Sequence, residues 1–222
     1  MIDLYTDILE VFERHTDILF GISNIDFSVF KTDYKCALVV AVPHKELLSI
    51  NTYEEEKFES LICEARDNID VLLDEITTLF KTYKIQYYIP PATQTSEETL
   101  IALFSFKFAC VNAGLGWIGK NDILVTEEYG PRVRLSAILI NYDLPIGCPI
   151  DKSKCPPICN VCVNACPHNA LTGHQWNIST KREELIDFKL CNQKRSLFLK
   201  THHRKNSCGL CMISCPLGIA KL

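Results

Sequence analysis

The sequence predicts an α+β chain: a mixed helix-and-strand domain over residues 1–144, then a ferredoxin-like cysteine module over 145–222. Three observations predict it. Helical and strand-like apolar periods alternate through the first part. The stretch Pro145 to Pro149 then breaks that pattern, as proline-rich hinges do. Beyond it lie eight cysteines from Cys155 onward, seven of them in two runs that each end in Cys-Pro. An apolar fraction of 47% supplies a core and argues against disorder.

Residues 2–19 carry apolar side chains at Leu4, Ile8, Val11, Phe12 and Leu19, a helical spacing. Cys36 to Val42 is an unbroken, β-branched run stopped by Pro43, which predicts a buried strand. That run is too short to span a bilayer, so no membrane partner is expected. A long helix follows over 54–82, with Phe58, Leu61, Ile62, Ala65, Ile69, Leu72, Leu73, Ile76 and Phe80 on one face. Gln86–Ile89 reads as a strand before Pro90. Thr95-Ser-Glu-Glu98 has the form of a capping box, so a helix is expected from there to Ala113, with Gly114 as its stop. Strands are expected at Ile123–Thr126 and Val133–Ile140, joined through 127–131.

The cysteine runs are Cys155-x3-Cys159-x2-Cys162-x3-Cys166-Pro and Cys208-x2-Cys211-x3-Cys215-Pro. In two-cluster ferredoxins three stepped thiolates hold one [4Fe–4S] cube, and the fourth, before proline, reaches the other. Two cubes need eight thiolates, and Cys191 completes the set. The assignment is Cys155, Cys159, Cys162 and Cys215 on one cluster, and Cys166, Cys191, Cys208 and Cys211 on the other. The first step is one residue longer than standard, which leaves Cys148 as an alternative to Cys155. Zinc is the competing metal, although zinc sites present separated CxxC pairs and no stepped run ending in proline. No leader pattern follows Met1-Ile-Asp-Leu-Tyr, so a reducing cytoplasmic compartment is expected, where dense cysteine signals metal and not disulfides. Cys36, Cys63 and Cys110 sit in apolar segments and read as small buried hydrophobes. His168 and His174 read as structural.

Charge is unevenly shared. Residues 145–222 hold eleven Lys or Arg against four Asp or Glu, while residues 1–144 hold twelve against twenty-three. Lys189, Lys194, Arg195, Lys200, Arg204 and Lys205, with His202 and His203, form the densest basic stretch. It would suit a small acidic electron donor of ferredoxin or flavodoxin type, contact with RNA, or pairing with the acidic part of the same chain. Nucleic acid is not the expected partner.

Gly114-Leu-Gly116-Trp-Ile-Gly119 matches G-x-G-x-x-G, but a helix precedes it and a strand follows, the reverse of the dinucleotide fingerprint. Its glycines offer close approach to a flat ligand, with Lys120, Arg132 and Arg134 supplying cations, or simply a structural turn.

Ala113-Gly-Leu-Gly-Trp-Ile-Gly-Lys-Asn121 resembles a segment of the epoxyqueuosine reductases. Leu124-Val-Thr-Glu-Glu-Tyr-Gly-Pro-Arg-Val-Arg-Leu135, with Asp143-Leu-Pro145, resembles the matching stretch of reductive dehalogenases. The lone cysteine ahead of a final CxxC is shared with both families. The resemblance covers about residues 20–222. It implies a nitroreductase-like first domain binding cobalamin as a base-off corrinoid, and clusters that deliver electrons to cobalt. It also implies corrinoid contacts at Gly114, Leu115, Gly116, Trp117, Ile118, Gly119, Lys120 and Asn121, and at Tyr129, Gly130, Pro131, Arg132 and Arg134. The reductases carry an acidic proton donor about thirteen residues before this segment. Leu100 stands there, and Glu97 and Glu98 are the nearest carboxylates. The helical-repeat domain that those reductases present near tRNA is not expected after Pro216.

The expected function is therefore a corrinoid- and two-[4Fe–4S]-binding redox protein that delivers electrons to cobalt, whether for corrinoid reduction and handling or for reductive chemistry. A corrinoid-dependent enzyme is a further expected partner. The alternatives are a ferredoxin-like carrier without corrinoid, a compact epoxyqueuosine reductase acting on tRNA, and a zinc-stabilised binding module.

Overall fold

The computed structural model describes residues 3–92, 100–193 and 208–219. Its elements are α1 (Leu4–Glu13), β1 (Leu19–Ser23), β2 (Cys36–Pro43), α2 (Glu55–Thr82), β3 (Tyr87–Tyr88) and α3 (Phe106–Asn112). After these come β4 (Trp117–Ile118), β5 (Leu124–Val125), β6 (Val133–Ile140), α4 (Val161–Asn164), α5 (Arg182–Leu185) and α6 (Leu210–Ile213). This is a mixed helix-and-sheet chain. Among the described residues no helix is long and apolar enough to cross a membrane.

The chain forms two compact units that interleave along the sequence. The first comprises 1–43, 65–115 and 134–150; the second comprises 44–64, 116–133 and 151–222. The single cut at 144/145 expected from the sequence therefore lies near only the last of these crossings. The segment 116–133 belongs with the cysteines and not with the first unit.

The first unit is built on a four-stranded sheet of order β1-β2-β6-β3. β1 pairs antiparallel with β2, Leu19 opposite Ala41, and β3 pairs antiparallel with β6, Tyr87 opposite Ile140. Side chains alternate across a strand, so Leu38, Val40 and Val42 of β2 meet α1 and α2 in the main core with Ile8, Phe12, Leu72 and Ile76. Phe12 stacks on Phe20 with ring centroids 3.7 Å apart. The small residues Ala37 and Ala41 fill alternate positions of β2, and α3 packs on β2 and β1. Every residue of β2 is buried, which is why it reads as a continuous apolar run.

Two expected boundaries are corrected. Leu19 begins β1 and does not end α1. α3 starts at Phe106, where the Ser105 hydroxyl accepts the Phe108 N–H at 3.3 Å; Leu100 has φ of 52°, outside any helix. The capping box at 95–98 lies outside the described residues.

The second unit has its own core of Leu48, Phe58, Leu61, Ile62, Met212 and Ile213. β4 and β5 form a short antiparallel ladder, Trp117 opposite Val125 and Ile118 opposite Leu124. The loop between them is closed by the Gly119 N–H on Ile123 O at 2.9 Å, with Asp122 at φ of 55°. Beyond it Thr126 bridges Gly130, and the Thr126 hydroxyl accepts the Tyr129 N–H.

Candidate metal centre

The cysteines are placed by short turns. α4 carries Cys162 and delivers Cys166 just past its end; α6 carries Cys211 and delivers Cys215. The prolines after Cys166 and Cys215 have no N–H and stop each turn there. α4 and α6 pack against each other. Cys191 lies in a helical stretch, 188–193, whose start is fixed by the Leu190 N–H on the Asp187 carboxylate at 2.8 Å.

Cys155, Cys159, Cys162 and Cys215 line one cavity, together with Lys120, Asn121, Val125 and Leu217. Burial pushes the Cys162 thiol up to about 11, and the neighbouring Cys215, Cys155 and Cys159 add to the shift. Burial raises Cys215 as well, while the Leu217 N–H and the Arg132 charge oppose it. Burial first, then the charges of Cys208, Cys191, Cys162 and Cys166, push Cys211 up. Each sequence-assigned set of four thiols thus shares one neighbourhood, and Cys162 lies close enough to act on both. Crowded buried thiols hold their protons until a metal displaces them. Among the described residues no three Cys, His, Asp or Glu converge tightly enough to clasp a single ion. The first thiols instead surround a cavity, which suits a multi-iron cube, and thiolate is the donor that iron–sulfur clusters take. Cys148 is exposed and belongs to the first unit, whereas Cys155 lines the cavity.

Three side chains outside the cysteine runs hold these loops. Gln175 donates to Cys155 O at 2.8 Å. Lys120, 3% exposed, donates to Pro157 O at 2.8 Å, Cys159 O at 2.9 Å and the Asn160 side-chain oxygen at 3.3 Å. Arg132, 1% exposed, donates to Leu217 O at 2.9 Å, Ile213 O at 3.1 Å and Cys215 O. Burial lowers the Arg132 pKa, yet a guanidinium stays charged in proteins. The loops of the other thiol group are met by Tyr53, whose hydroxyl donates to Cys208 O at 3.3 Å, and Asn121, whose amide donates to Cys211 O at 3.1 Å. The Ala170 N–H points at Cys166 Sγ at 3.4 Å.

The corrinoid contacts expected from the resemblance fare differently. Lys120 and Arg132 are buried and donate to the chain's own oxygens. Gly116, Trp117, Ile118, Gly119, Asn121, Gly130 and Pro131 are buried, and Gly114, Leu115, Tyr129 and Arg134 are half-buried. The glycines serve approach between backbones. A Cβ on Gly116 would meet Val125 O at 2.3 Å, and one on Gly130, where φ is 57°, would meet Leu217 O at 2.1 Å. One on Gly114 would meet Cys148 O at 2.6 Å.

The chain is thus a mixed helix–sheet fold that gathers two groups of thiols. In sequence it resembles the epoxyqueuosine reductases. It is 32% identical over 111 residues to the epoxyqueuosine reductase of Listeria monocytogenes, 47% of this chain and 27% of that enzyme. It is 34% identical over 109 residues to that of Gloeobacter violaceus, 48% of this chain and 34% of the relative. The match therefore spans about a third or less of these curated relatives. In fold, the epoxyqueuosine reductase from Bacillus subtilis superposes with a TM-score of 0.60 at 18% identity, covering 99% of this chain and 67% of that one. A catabolic reductive dehalogenase gives 0.63 at 18% identity, over 90% of this chain and 30% of the other. No family model matches the chain.

Proposed function

We propose that this chain carries two [4Fe–4S] clusters and passes electrons through them to a corrinoid, for corrinoid reduction and handling or for reduction at cobalt. The observation that carries this is the cavity lined by Cys155, Cys159, Cys162 and Cys215, four thiols drawn from segments sixty residues apart in the numbering. Bound clusters would supply one-electron transfer. The chain's own side chains do the positioning: Gln175 holds the Cys155 loop, Lys120 the Cys159 loop and Arg132 the Cys215 loop. The corrinoid is supported by the sequence resemblance and by a structural neighbour whose mechanism is described as B12-dependent dehalogenation. Electrons would come from a small acidic donor. Of the basic stretch expected to receive it, Lys189 is exposed, and Lys194 to Lys205 lie outside the described residues.

Iron analysis of single variants tests the cluster pairing. Cys215→Ser and Cys191→Ser should each lose about half of the roughly eight irons expected for two cubes, and the pair together should lose both. Parental iron in Cys191→Ser would remove Cys191 from the ligand set.

The curated relatives favour a second reading, reduction of epoxyqueuosine in tRNA, and one solved relative is seen with such a stem loop. The proton donor for that chemistry would have to come from near Leu100, where Glu97 and Glu98 lie outside the described residues. Incubating the reconstituted chain with reductant and an epoxyqueuosine-bearing stem loop decides it: appearance of queuosine establishes this reading, and unchanged substrate at full cluster and cobalt loading removes it.

A further inference from the structure

We infer that Lys120 and Arg132 raise the reduction potential of the cluster on Cys155, Cys159, Cys162 and Cys215. The inference builds on the two-cluster reading above.

Two cations are buried against the ligand segments of one site. The Lys120 ammonium has three N–H donors and meets three acceptors, two of them carbonyls of the Pro157–Cys159 turn. A neutral amine could not satisfy all three. Lys120 also lines the thiol cavity itself. Arg132 meets three carbonyls of the segment 213–217, Cys215 among them, and its charge acts on the Cys215 thiol. Among the described residues, the loops of the other site receive hydrogen bonds from the Tyr53 hydroxyl, the Asn121 amide and the Ala170 N–H.

The electrostatic consequence has a definite sign. Reduction adds one negative charge to a cube that is already anionic with four thiolates. A nearby fixed cation stabilises the reduced form more than the oxidised form and so raises the potential. Low polarisability around a buried cation makes the effect larger than at a surface. One-electron reduction of the cluster held there, by a low-potential donor protein, would therefore be favoured by the two cations. No proton or bond change is required.

The test is an EPR-monitored redox titration of the full chain reconstituted with iron and sulfide, alongside Lys120→Met, Lys120→Gln and Lys120→Arg. Two midpoint potentials are expected in the parent. In Lys120→Met or Lys120→Gln, at unchanged iron content, one of the two should fall while the other stays in place, and Lys120→Arg should restore it. Gln keeps a hydrogen-bond donor without the charge, so it separates electrostatics from loop support. Potentials that stay fixed in both uncharged variants, or that move together, overturn the inference. So does loss of about half the iron in both uncharged variants with recovery in Lys120→Arg, which would make Lys120 a loop support only. A parent chain that binds no iron would overturn the two-cluster reading itself, a separate and recognisable result.

Discussion

At the scale of residues, the site is a matter of where cations and glycines are spent. A buried charge persists only when its donors are met, since burying it unpaired costs several kcal/mol. Lys120 meets that condition with all three of its donors, and Arg132 with both terminal nitrogens, Nε being left unpartnered; the carbonyls they bond lie 37 to 85 residues away in sequence. The two groups of neighbouring thiols were legible in the sequence because their cysteines recur at short steps along the chain, three and four residues apart, as cluster geometry would require. The cations were legible as present and not as to partner, because nothing local marks a contact at such separations. Glycine density between Gly114 and Gly119 likewise announced close approach without saying to what. Gly130 gives a direct prediction: alanine there meets both a left-handed backbone and Leu217 O. Gly130→Ala should cost about 1–3 kcal/mol in denaturant unfolding. It should also lower iron occupancy, because the displaced segment carries Cys215.

At the scale of elements, long periodic segments were readable and short ones were not. α2 shows its buried face over 28 residues, and β2 its unbroken apolar run, because burial dictates those patterns. β1 and β4 carry glycine or only two residues, too little for a period to show. α3 was overextended because 95–98 offers capping residues, whereas the cap in use is Ser105. Ser105→Ala should therefore destabilise the chain by about 1 kcal/mol, measured by thermal or urea unfolding. Between α1 and α2, Glu75 meets His15 at 3.0 Å and Arg14, and these partners hold its carboxyl below the usual range. A depressed folded pKa gives stability that is present above the unfolded value and is lost as pH falls through the folded one. Stability should decline along that acid limb, and Glu75→Gln should flatten it. The pair is largely exposed, so at neutral pH the variant should lose no more than about 0.5 kcal/mol.

At the scale of the whole molecule, the chain weaves two units from alternating stretches. The segment resembling a corrinoid-binding loop lies with the cysteines: 116–133 supplies Lys120, Asn121 and Val125 to the thiol cavity. Charge asymmetry was visible in composition, but composition carries no topology, so it could not reveal that 44–64 and 116–133 join the basic module. The interleaving also means that a fragment cut at 144/145 omits groups that hold the ligand loops, Tyr53, Lys120, Asn121 and Arg132 among them. Residues 145–222 expressed alone should bind fewer irons per chain than the full chain under identical reconstitution, read by iron analysis and visible absorbance.

The most direct measurement is iron and cobalt content of one sample of the full chain, reconstituted anaerobically with iron, sulfide and hydroxocobalamin and then desalted. About eight irons and one cobalt per chain are expected, the iron following from two four-iron clusters. Eight irons without cobalt would contradict the corrinoid and leave a two-cluster electron carrier; zinc or no metal in place of iron would contradict the two-cluster reading itself.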